Sequence, residues 1–284
     1  MLTPYISCVI PSYNAAAFLS EALESALHQD FPESEREIIV VDDASTDGTP
    51  GVLRRYAGKI RVLRHAVNRG QGEALRTAVR AARGEVIAAL DADDVWLPKK
   101  LSRVAKIFDD RRKAVAVSHE CRYVGASLRP IAGRFEPPYL DKIRIVDLDR
   151  ESVVQYHECG GRILLYNTGS TYSLRKSAVL GNLDGCRPPA VFADGFFILM
   201  ALASGGEAVL LGETLSLYRR HEGSVTARLK TSKPFMDMHL AALKTIDAAG
   251  RPLLARDVRA LLSLWTARAL LLKAHSAAKA RRAS

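Results

Sequence analysis

The first hundred residues alternate short apolar runs with segments of helical periodicity. Four runs have the length and composition of buried strands: Tyr5–Ile10, Ile38–Val41, Ile60–Leu63 and Val86–Leu90. Three intervening segments repeat apolar residues at helical spacing: 18–27, 52–56 and 70–83. Strands that are apolar throughout and separated by helices predict an α/β fold, with a mostly parallel sheet covered by helices on both faces.

The pattern becomes less regular after about residue 115. Further strands are predicted at Ala114–Ser118, Asn167–Leu174, Val209–Leu211 and Leu215–Tyr218. A helix is predicted at Gly195–Ala203, and from Pro234 onward a helical pattern rich in Ala, Leu, Lys and Arg takes over. Pro11 is expected to stop the first strand, because proline has no N–H to donate to a neighbouring strand.

Net charge is concentrated near the end of the chain. The sequence of 284 residues carries a net charge of +10, and residues 229–284 hold eleven Lys and Arg against three Asp. A nucleic-acid-binding domain would spread or stripe its positive charge over the folded body. The composition therefore disfavours a nucleic-acid partner and separates a basic extension from a nearly neutral body.

The cysteines and the apolar runs both indicate a cytoplasmic protein. Cys8, Cys121, Cys159 and Cys186 form no CxxC pair and no zinc spacing, so they are interpreted as reduced thiols. No apolar run reaches the roughly 18–20 residues that cross a bilayer. The first residues lack the basic start of a secretory signal.

Polar clusters directly follow three of the predicted strands. They are Pro11–Asn14, Asp42–Asp43 and Asp91–Asp94. Ligands of open α/β sheets bind outside the carboxyl ends of the strands, so we expect the three clusters to meet in one site. The strand-end glycine patterns of dinucleotide-binding and P-loop proteins are absent from the sequence.

The closely spaced aspartates favour a cation. Asp91, Asp93 and Asp94 repel one another unless a positive charge offsets the repulsion, and Mg²⁺ or Mn²⁺ prefers carboxylate oxygens together with substrate phosphates. Asp94 could alternatively cap a helix that begins near Pro98. Asp43 could accept a hydrogen bond from a nucleotide base or ribose, or it could cap the turn at Ser45–Thr49.

These motifs carry a resemblance to a known family. The segments 9–14, 39–49, 68–70, 84–94 and 218–226 match in order the motifs of the inverting glycosyltransferases with the GT-A fold, family 2 type. The resemblance covers about residues 5–228. It implies a catalytic GT-A domain at 1–228, with a nucleotide-binding half at 1–115 and an acceptor half at 116–228, followed by a basic helical extension at 229–284.

The resemblance also implies roles for individual residues. It places six residues at the nucleoside diphosphate-sugar: Pro11, Tyr13, Asp43, Asn68, Asp91 and Asp93. Asp93 would be the principal ligand of Mn²⁺ or Mg²⁺, and His221 would reach the metal or the diphosphate. Without the motif, His221 would be interpreted as an exposed loop histidine. The donor would be a UDP-, GDP- or dTDP-linked sugar.

Asp194 matches the family's catalytic base. The family usually has a Glu-Asp pair at the start of a helix, and here Ala193 replaces the glutamate. Asp194 would accept the proton of an acceptor hydroxyl during a single displacement that inverts the anomeric carbon. A capping role at the helix start is the alternative for this residue.

Several alternatives remain open from the sequence alone. The chain could be a sugar nucleotidyltransferase, or a nucleotide-sugar-binding protein whose catalysis is impaired by Ala193. The acceptor could be a sugar, a lipid-linked molecule or another hydroxyl compound, as in the synthesis of polysaccharides or glycolipids. The segment 256–273 could pack on the catalytic domain, or it could make a peripheral contact with anionic lipid at the inner membrane face.

Overall fold

The structure is a computed structural model that describes residues 4–131, 144–147, 169–184, 187–190, 193–224, 233–250, 255–256 and 258–259. Cys159, Cys186 and most of the segment 256–273 lie outside the described residues. The expectations for them stay predictions. No helix in the described part of the chain is both long and apolar enough to span a bilayer.

The first half of the chain alternates strands and helices as the pattern predicts. Its elements are β1 (Ile6–Ser12), α1 (Leu19–Leu27), β2 (Arg36–Asp42), α2 (Thr49–Arg55), β3 (Arg61–Arg64), α3 (Gln71–Ala81) and β4 (Val86–Ala89). A 3₁₀ turn at Glu33–Glu35 precedes β2. The four strands run parallel in the order β3-β2-β1-β4. All four therefore end at the same edge of the sheet.

The second half extends this sheet with mixed pairing. Its elements are β5 (Val95–Trp96), α4 (Lys100–Asp110), β6 (Ala114–Val124), β7 (Arg144–Asp147), a 3₁₀ turn (Gly169–Thr171), β8 (Tyr172–Arg175), α5 (Lys176–Leu183), α6 (Ala193–Leu202), β9 (Glu207–Arg219) and α7 (Lys233–Ala248). β8 runs antiparallel to both β4 and β6, whereas β6 and β9 are parallel. β5 and β7 pair antiparallel with β9. The α/β fold with flanking helices is confirmed.

Two apolar cores lie on opposite faces of the sheet. The alternation of side chains along a strand sends Val9, Ile39 and Val41 to the face covered by α3 and α6. Ile10 and Val40 point to the face covered by α1, α2 and α4. Every described residue of α6 except Asp194 is buried, and the helix packs against α3, β6 and β8.

The start of the basic extension shares one of these cores. Ala242 and Ile246 of α7, together with Ala255 and Val258, are buried in the cluster that contains α6. The described residues of the extension therefore pack on the body of the protein.

Three predictions about strand boundaries are wrong. The strand predicted at Asn167–Leu174 is, in its described part, a 3₁₀ turn at Gly169–Thr171 followed by β8 at Tyr172–Arg175. β1 continues through Pro11 to Ser12, and β2 pairs with it along this whole stretch. The missing N–H of Pro11 is tolerated because β4, on the other side of β1, pairs with it only as far as Val9. The two short strands predicted at 209–211 and 215–218 form one strand, β9. Its pairing with β6 shifts register around Glu120, and this irregularity accounts for the break in the apolar pattern.

Two glycines allow the loop before α6 to lie against the start of α3. Gly70 has φ +87°, and a Cβ there would lie 2.9 Å from Ala190. A Cβ on Gly72 would lie 2.2 Å from the carbonyl oxygen of Pro189. The N–H of Gln71 donates to the carbonyl of Ala190 at 3.0 Å. The absence of side chains at the two glycines thus sets the position of the segment 187–190.

We expect Gly72→Ala to destabilise the protein by roughly 1–3 kcal/mol, because the new methyl group would collide with backbone rather than with a movable side chain. Gly181→Ala in α5 is the matched control, since nothing lies within 4 Å of its Cβ position. Urea unfolding of both variants measures the difference. Equal stability of the two would contradict the close approach of the loop to α3.

Candidate functional site

The loops after β1 and β2 are joined at the carboxyl edge of the sheet. Asn14 adopts φ +49°, and its side-chain oxygen accepts a hydrogen bond from the N–H of Thr46 at 2.8 Å. The N–H of Asn14 donates to the hydroxyl of Ser45 at 2.9 Å. These reciprocal bonds fix the two loops relative to each other and form one wall of the site.

Asp43 anchors the loop that follows β3. Its buried carboxylate accepts the N–H groups of Arg69 and Gly70 at 2.9 and 2.7 Å, and it lies 2.6 Å from Nδ1 of His65. The neighbouring Asp42 accepts the N–H of Ser45 at 2.9 Å, so the capping alternative considered for Asp43 belongs to Asp42. The predicted contact between Asp43 and a nucleotide base stays a prediction.

The other residues predicted for the nucleotide lie around the same edge. Pro11 is buried at the end of β1, Tyr13 is 50% exposed immediately after it, and Asn68 is exposed beside the loop that Asp43 anchors. An exposed aromatic ring next to a buried strand end is a surface on which a base can stack.

Asp94 is a structural clamp, and the alternative of a helix cap for it is wrong. α4 begins at Lys100, and its N-cap, Lys99, makes no side-chain capping bond. The fully buried carboxylate of Asp94 instead accepts the Ser170 hydroxyl at 2.6 Å and the N–H of Arg219 at 2.8 Å. It therefore ties the acidic turn to the 3₁₀ turn and to the end of β9.

Asp91 lies close to three other carboxylates, those of Asp93, Asp94 and Asp194. Its side chain accepts a hydrogen bond from Nε2 of Gln71 at 3.3 Å, and a Cβ on Gly169 would lie 3.0 Å from its carboxylate oxygen. Burial, followed by the negative charges of Asp94, Asp93 and Asp194, raises the pKa of Asp91 well above its usual value. A ligand with positive charge or hydrogen-bond donors would relieve this repulsion.

Asp93 and His221 form the pair that best fits a divalent cation. Oδ2 of Asp93 lies 3.0 Å from Nε2 of His221, and the two side chains are 32% and 16% exposed. The two atoms are hydrogen-bonded at this distance. Once the proton between them is lost, the same spacing suits one ion bound by both atoms, because neighbouring ligands of an octahedral ion at about 2.1 Å are about 3.0 Å apart. Within the described residues, no group of three or more His, Cys, Asp or Glu side chains converges on a complete metal site. Substrate phosphates and water would supply the remaining ligands.

Asp194 faces this cluster from the first turn of α6. Burial raises its pKa to about 6, although hydrogen bonds from the N–H of Gly195 and from its own N–H oppose the shift. Its charge contributes to the raised pKa of Asp91, so the two carboxylates act on each other. A carboxylate with a pKa near 6 is ionised at neutral pH yet basic enough to accept a proton.

Sequence reasoning assigned no role to several residues that hold the cluster together. Ser170 accepts the N–H of Asp91 at 3.0 Å in addition to its bond to Asp94. The carbonyl of Ser170 accepts Nε1 of Trp96 at 2.9 Å and Nζ of the buried Lys100 at 3.3 Å. The pairing of Ser170 with Asp94 spans 76 residues of sequence, so no local pattern could have indicated it.

We expect Asp91→Asn to stabilise the metal-free protein by about 1 kcal/mol at pH 7–8, because it removes a charge that repels the neighbouring carboxylates. Gains of this size are typical when a destabilising functional residue is replaced. The folded pKa of Asp91 lies above its unfolded value of about 3.9, so the ionised side chain destabilises the fold above the folded pKa and has no such effect at low pH. The gain should therefore shrink as the pH falls toward 4. Thermal unfolding against pH measures it. Asp110→Asn, at an exposed end of α4, is the control. A gain independent of pH would contradict the repulsion.

Comparison with known sequences gives one family match and a series of relatives. The sequence profile described as Glycosyl transferase family 2 matches residues 7–165. An uncharacterized glycosyltransferase of Nostoc is 45% identical over 107 residues, covering 36% of this chain and 32% of the relative. The uncharacterized glycosyltransferase EpsJ of Bacillus subtilis is 28% identical over 245 residues, covering 84% and 67%. The chain spans about a third to three-fifths of the length of the first relatives that it matches.

Solved structures share the fold. TarS 1-349 of Staphylococcus aureus, in complex with UDP-GlcNAc, has a TM-score of 0.66 and 21% identity over 85% of this chain and 66% of that chain. The mannosyltransferase PcManGT of Pyrobaculum calidifontis, in complex with GDP-Man and Mn²⁺, has a TM-score of 0.66 and 22% identity over 100% of this chain and 77% of that chain. These similarities show the GT-A-like fold.

Proposed function

The chain belongs to glycosyl transferase family 2, and we propose that it transfers a sugar from a nucleoside diphosphate-sugar to an acceptor hydroxyl with inversion. One observation carries the proposal. A carboxylate with a pKa near 6, Asp194, acts on the same acidic turn that presents Asp93 to His221. A base and a diphosphate-binding pair at one sheet edge suit a displacement at the anomeric carbon between them. In this proposal residues 1–228 form the catalytic domain, with its nucleotide-binding half at 1–115.

The nucleotide would bind where the loops after β1, β2 and β3 meet. Tyr13, whose ring is exposed, would stack on the base, and Pro11 and Asn68 would border the same site. Asp43 fixes the loop after β3 through its bonds to Arg69 and Gly70, and the segment 68–72 together with the loop before Asp194 would determine donor choice. The structures of relatives named for UDP-GlcNAc and for GDP-Man support a UDP- or GDP-linked sugar.

The diphosphate would bind with a divalent cation at Asp93 and His221. The donor set of one carboxylate and one imidazole fits Mn²⁺ better than Mg²⁺, because imidazole suits the transition metals. When bound, the ion neutralises negative charge on the leaving nucleoside diphosphate. Asp91 lies beside this pair, where it can accept hydrogen bonds from the ribose hydroxyls.

Asp194 would act as the general base. As the acceptor oxygen forms its bond to the anomeric carbon, its proton moves to the Asp194 carboxylate and the bond to the diphosphate breaks. The capping alternative for Asp194 is compatible with this role, because the helix N-terminus that it faces also favours the ionised form before reaction.

The proposal is tested by incubating the protein with UDP-, GDP- and dTDP-linked sugars in the presence of Mn²⁺ and then adding EDTA. We expect one donor to be cleaved, with faster turnover once a suitable sugar or lipid-linked acceptor is added, and we expect EDTA to abolish both reactions. Relatives named for teichuronic acid biosynthesis and for poly(ribitol-phosphate) make polymer precursors of these kinds the first acceptors to try. Tight nucleotide binding without cleavage of any donor would favour the non-catalytic alternative.

Asp194→Asn should lower kcat by about 10²–10⁴-fold while leaving the donor affinity unchanged, because only proton transfer is removed. In the unaltered protein, kcat/KM should rise with pH to a plateau above an apparent pKa of about 6, since the base must be ionised. Asp184→Asn, at an exposed carboxylate after α5, is the matched control. Retained activity in Asp194→Asn would assign the base elsewhere.

A further inference from the structure

Arg219 is the largest fully buried side chain among the described residues. It ends β9, two positions before His221, and its guanidinium binds three separate partners. Nε donates to the carbonyl oxygen of Asp93 at 2.6 Å, and Nη2 donates to the Glu21 carboxylate at 2.6 Å. Nη1 donates to the carbonyl of Ala126. One side chain therefore fixes the acidic turn, α1 and the loop after β6 together.

The same guanidinium also supports His221 through an aromatic ring. Its central carbon lies 4.7 Å from the centre of the Phe18 ring. The centre of the His221 imidazole lies 4.6 Å from the centre of the same ring. Arg219 thus contacts Asp93 directly and His221 through Phe18, so it supports both members of the pair proposed to bind metal.

The stability of the fold does not by itself explain a buried arginine at this position. Its carboxylate partner, Glu21, is 48% exposed, and a buried ion pair is often replaceable by apolar side chains without loss of stability. The environment gives a better reason. Arg219 lies against the turn that carries three aspartates, and its charge is among the factors that lower the pKa of Asp94 against the effect of burial. It supplies positive charge there whether or not a metal is bound.

We propose that Arg219 is the positioning residue of the Asp93–His221 pair. It holds the carboxylate and the imidazole at the spacing that a divalent cation requires, before the cation arrives. A lysine cannot replace it, because a single ammonium group lacks the planar fork that reaches three acceptors in different directions. The inference rests on the proposed function, since it assumes that this pair binds the metal of the donor complex.

The test measures metal binding rather than turnover. Mn²⁺ is titrated into the protein with saturating UDP or GDP, whichever the unaltered protein binds, and free Mn²⁺ is followed by electron paramagnetic resonance. We expect Arg219→Lys to weaken Mn²⁺ binding about 10–100-fold, as is typical when the support of a metal ligand is lost. The circular dichroism spectrum and the metal-free affinity for the nucleotide should remain those of the unaltered protein.

Arg111→Lys is the matched control, because it alters a partly exposed pair with Glu207 at the opposite end of β9. It should bind Mn²⁺ as the unaltered protein does. Equal Mn²⁺ affinity of Arg219→Lys and the unaltered protein would overturn this inference while leaving the proposed function intact. Failure of the unaltered protein to bind Mn²⁺ with nucleotide would overturn the metal-dependent function itself, and the inference with it.

Phe18→Leu keeps the test decisive if Arg219→Lys does not fold. This variant removes the ring between the guanidinium and the imidazole but leaves the hydrogen bonds of Arg219 in place. We expect weaker Mn²⁺ binding, because His221 loses its support on one side. An unchanged Mn²⁺ affinity in Phe18→Leu would show that the imidazole needs no such support, and would overturn the inference.

Discussion

Electrostatic repulsion on the turn after β4 is the constraint around which the rest of the site is arranged. Three aspartates within four residues lie near a fourth, Asp194. Burial raises the pKa of Asp91 and Asp94 well above the usual value. Without groups that offset this charge, the repulsion between the carboxylates would destabilise the turn. The fold supplies that compensation on the inner side, through Ser170 and Arg219, and leaves Asp93 for a ligand on the outer side.

The compensating groups come from the later part of the chain. Ser170 is itself held at its carbonyl by Trp96 and by Lys100, whose pKa burial lowers to about 7. Arg219 arrives at the end of the long strand β9, which pairs with both β5 and β6. The mixed half of the sheet therefore completes the acidic site that the parallel half begins.

Sequence reasoning succeeded where the physical rule was local or topological. Apolar runs indicated the four parallel strands, and the rule for parallel sheets predicted that Asp43 and Asp91 would end at one edge. Sequence reasoning failed where a contact between residues far apart in the chain determines the structure. The clamp on Asp94 depends on partners 76 and 125 residues away, and β1 passes Pro11 only because β4 stops pairing at Val9. The family resemblance, not the spacing of residues, supplied His221 and Asp194.

The contact between the start of α3 and the segment 187–190 links two properties that are usually discussed separately. The N–H of Gly70 donates to Asp43, and the N–H of the adjacent Gln71 donates to the carbonyl of Ala190, four residues before Asp194. If the proposed roles hold, donor choice and the placement of the general base Asp194 depend on one piece of backbone. A chimaera that takes the segment 68–72 from a relative would therefore also need the relative's counterpart of the segment 187–190. Substitutions in either segment are likewise limited by the need to keep this contact.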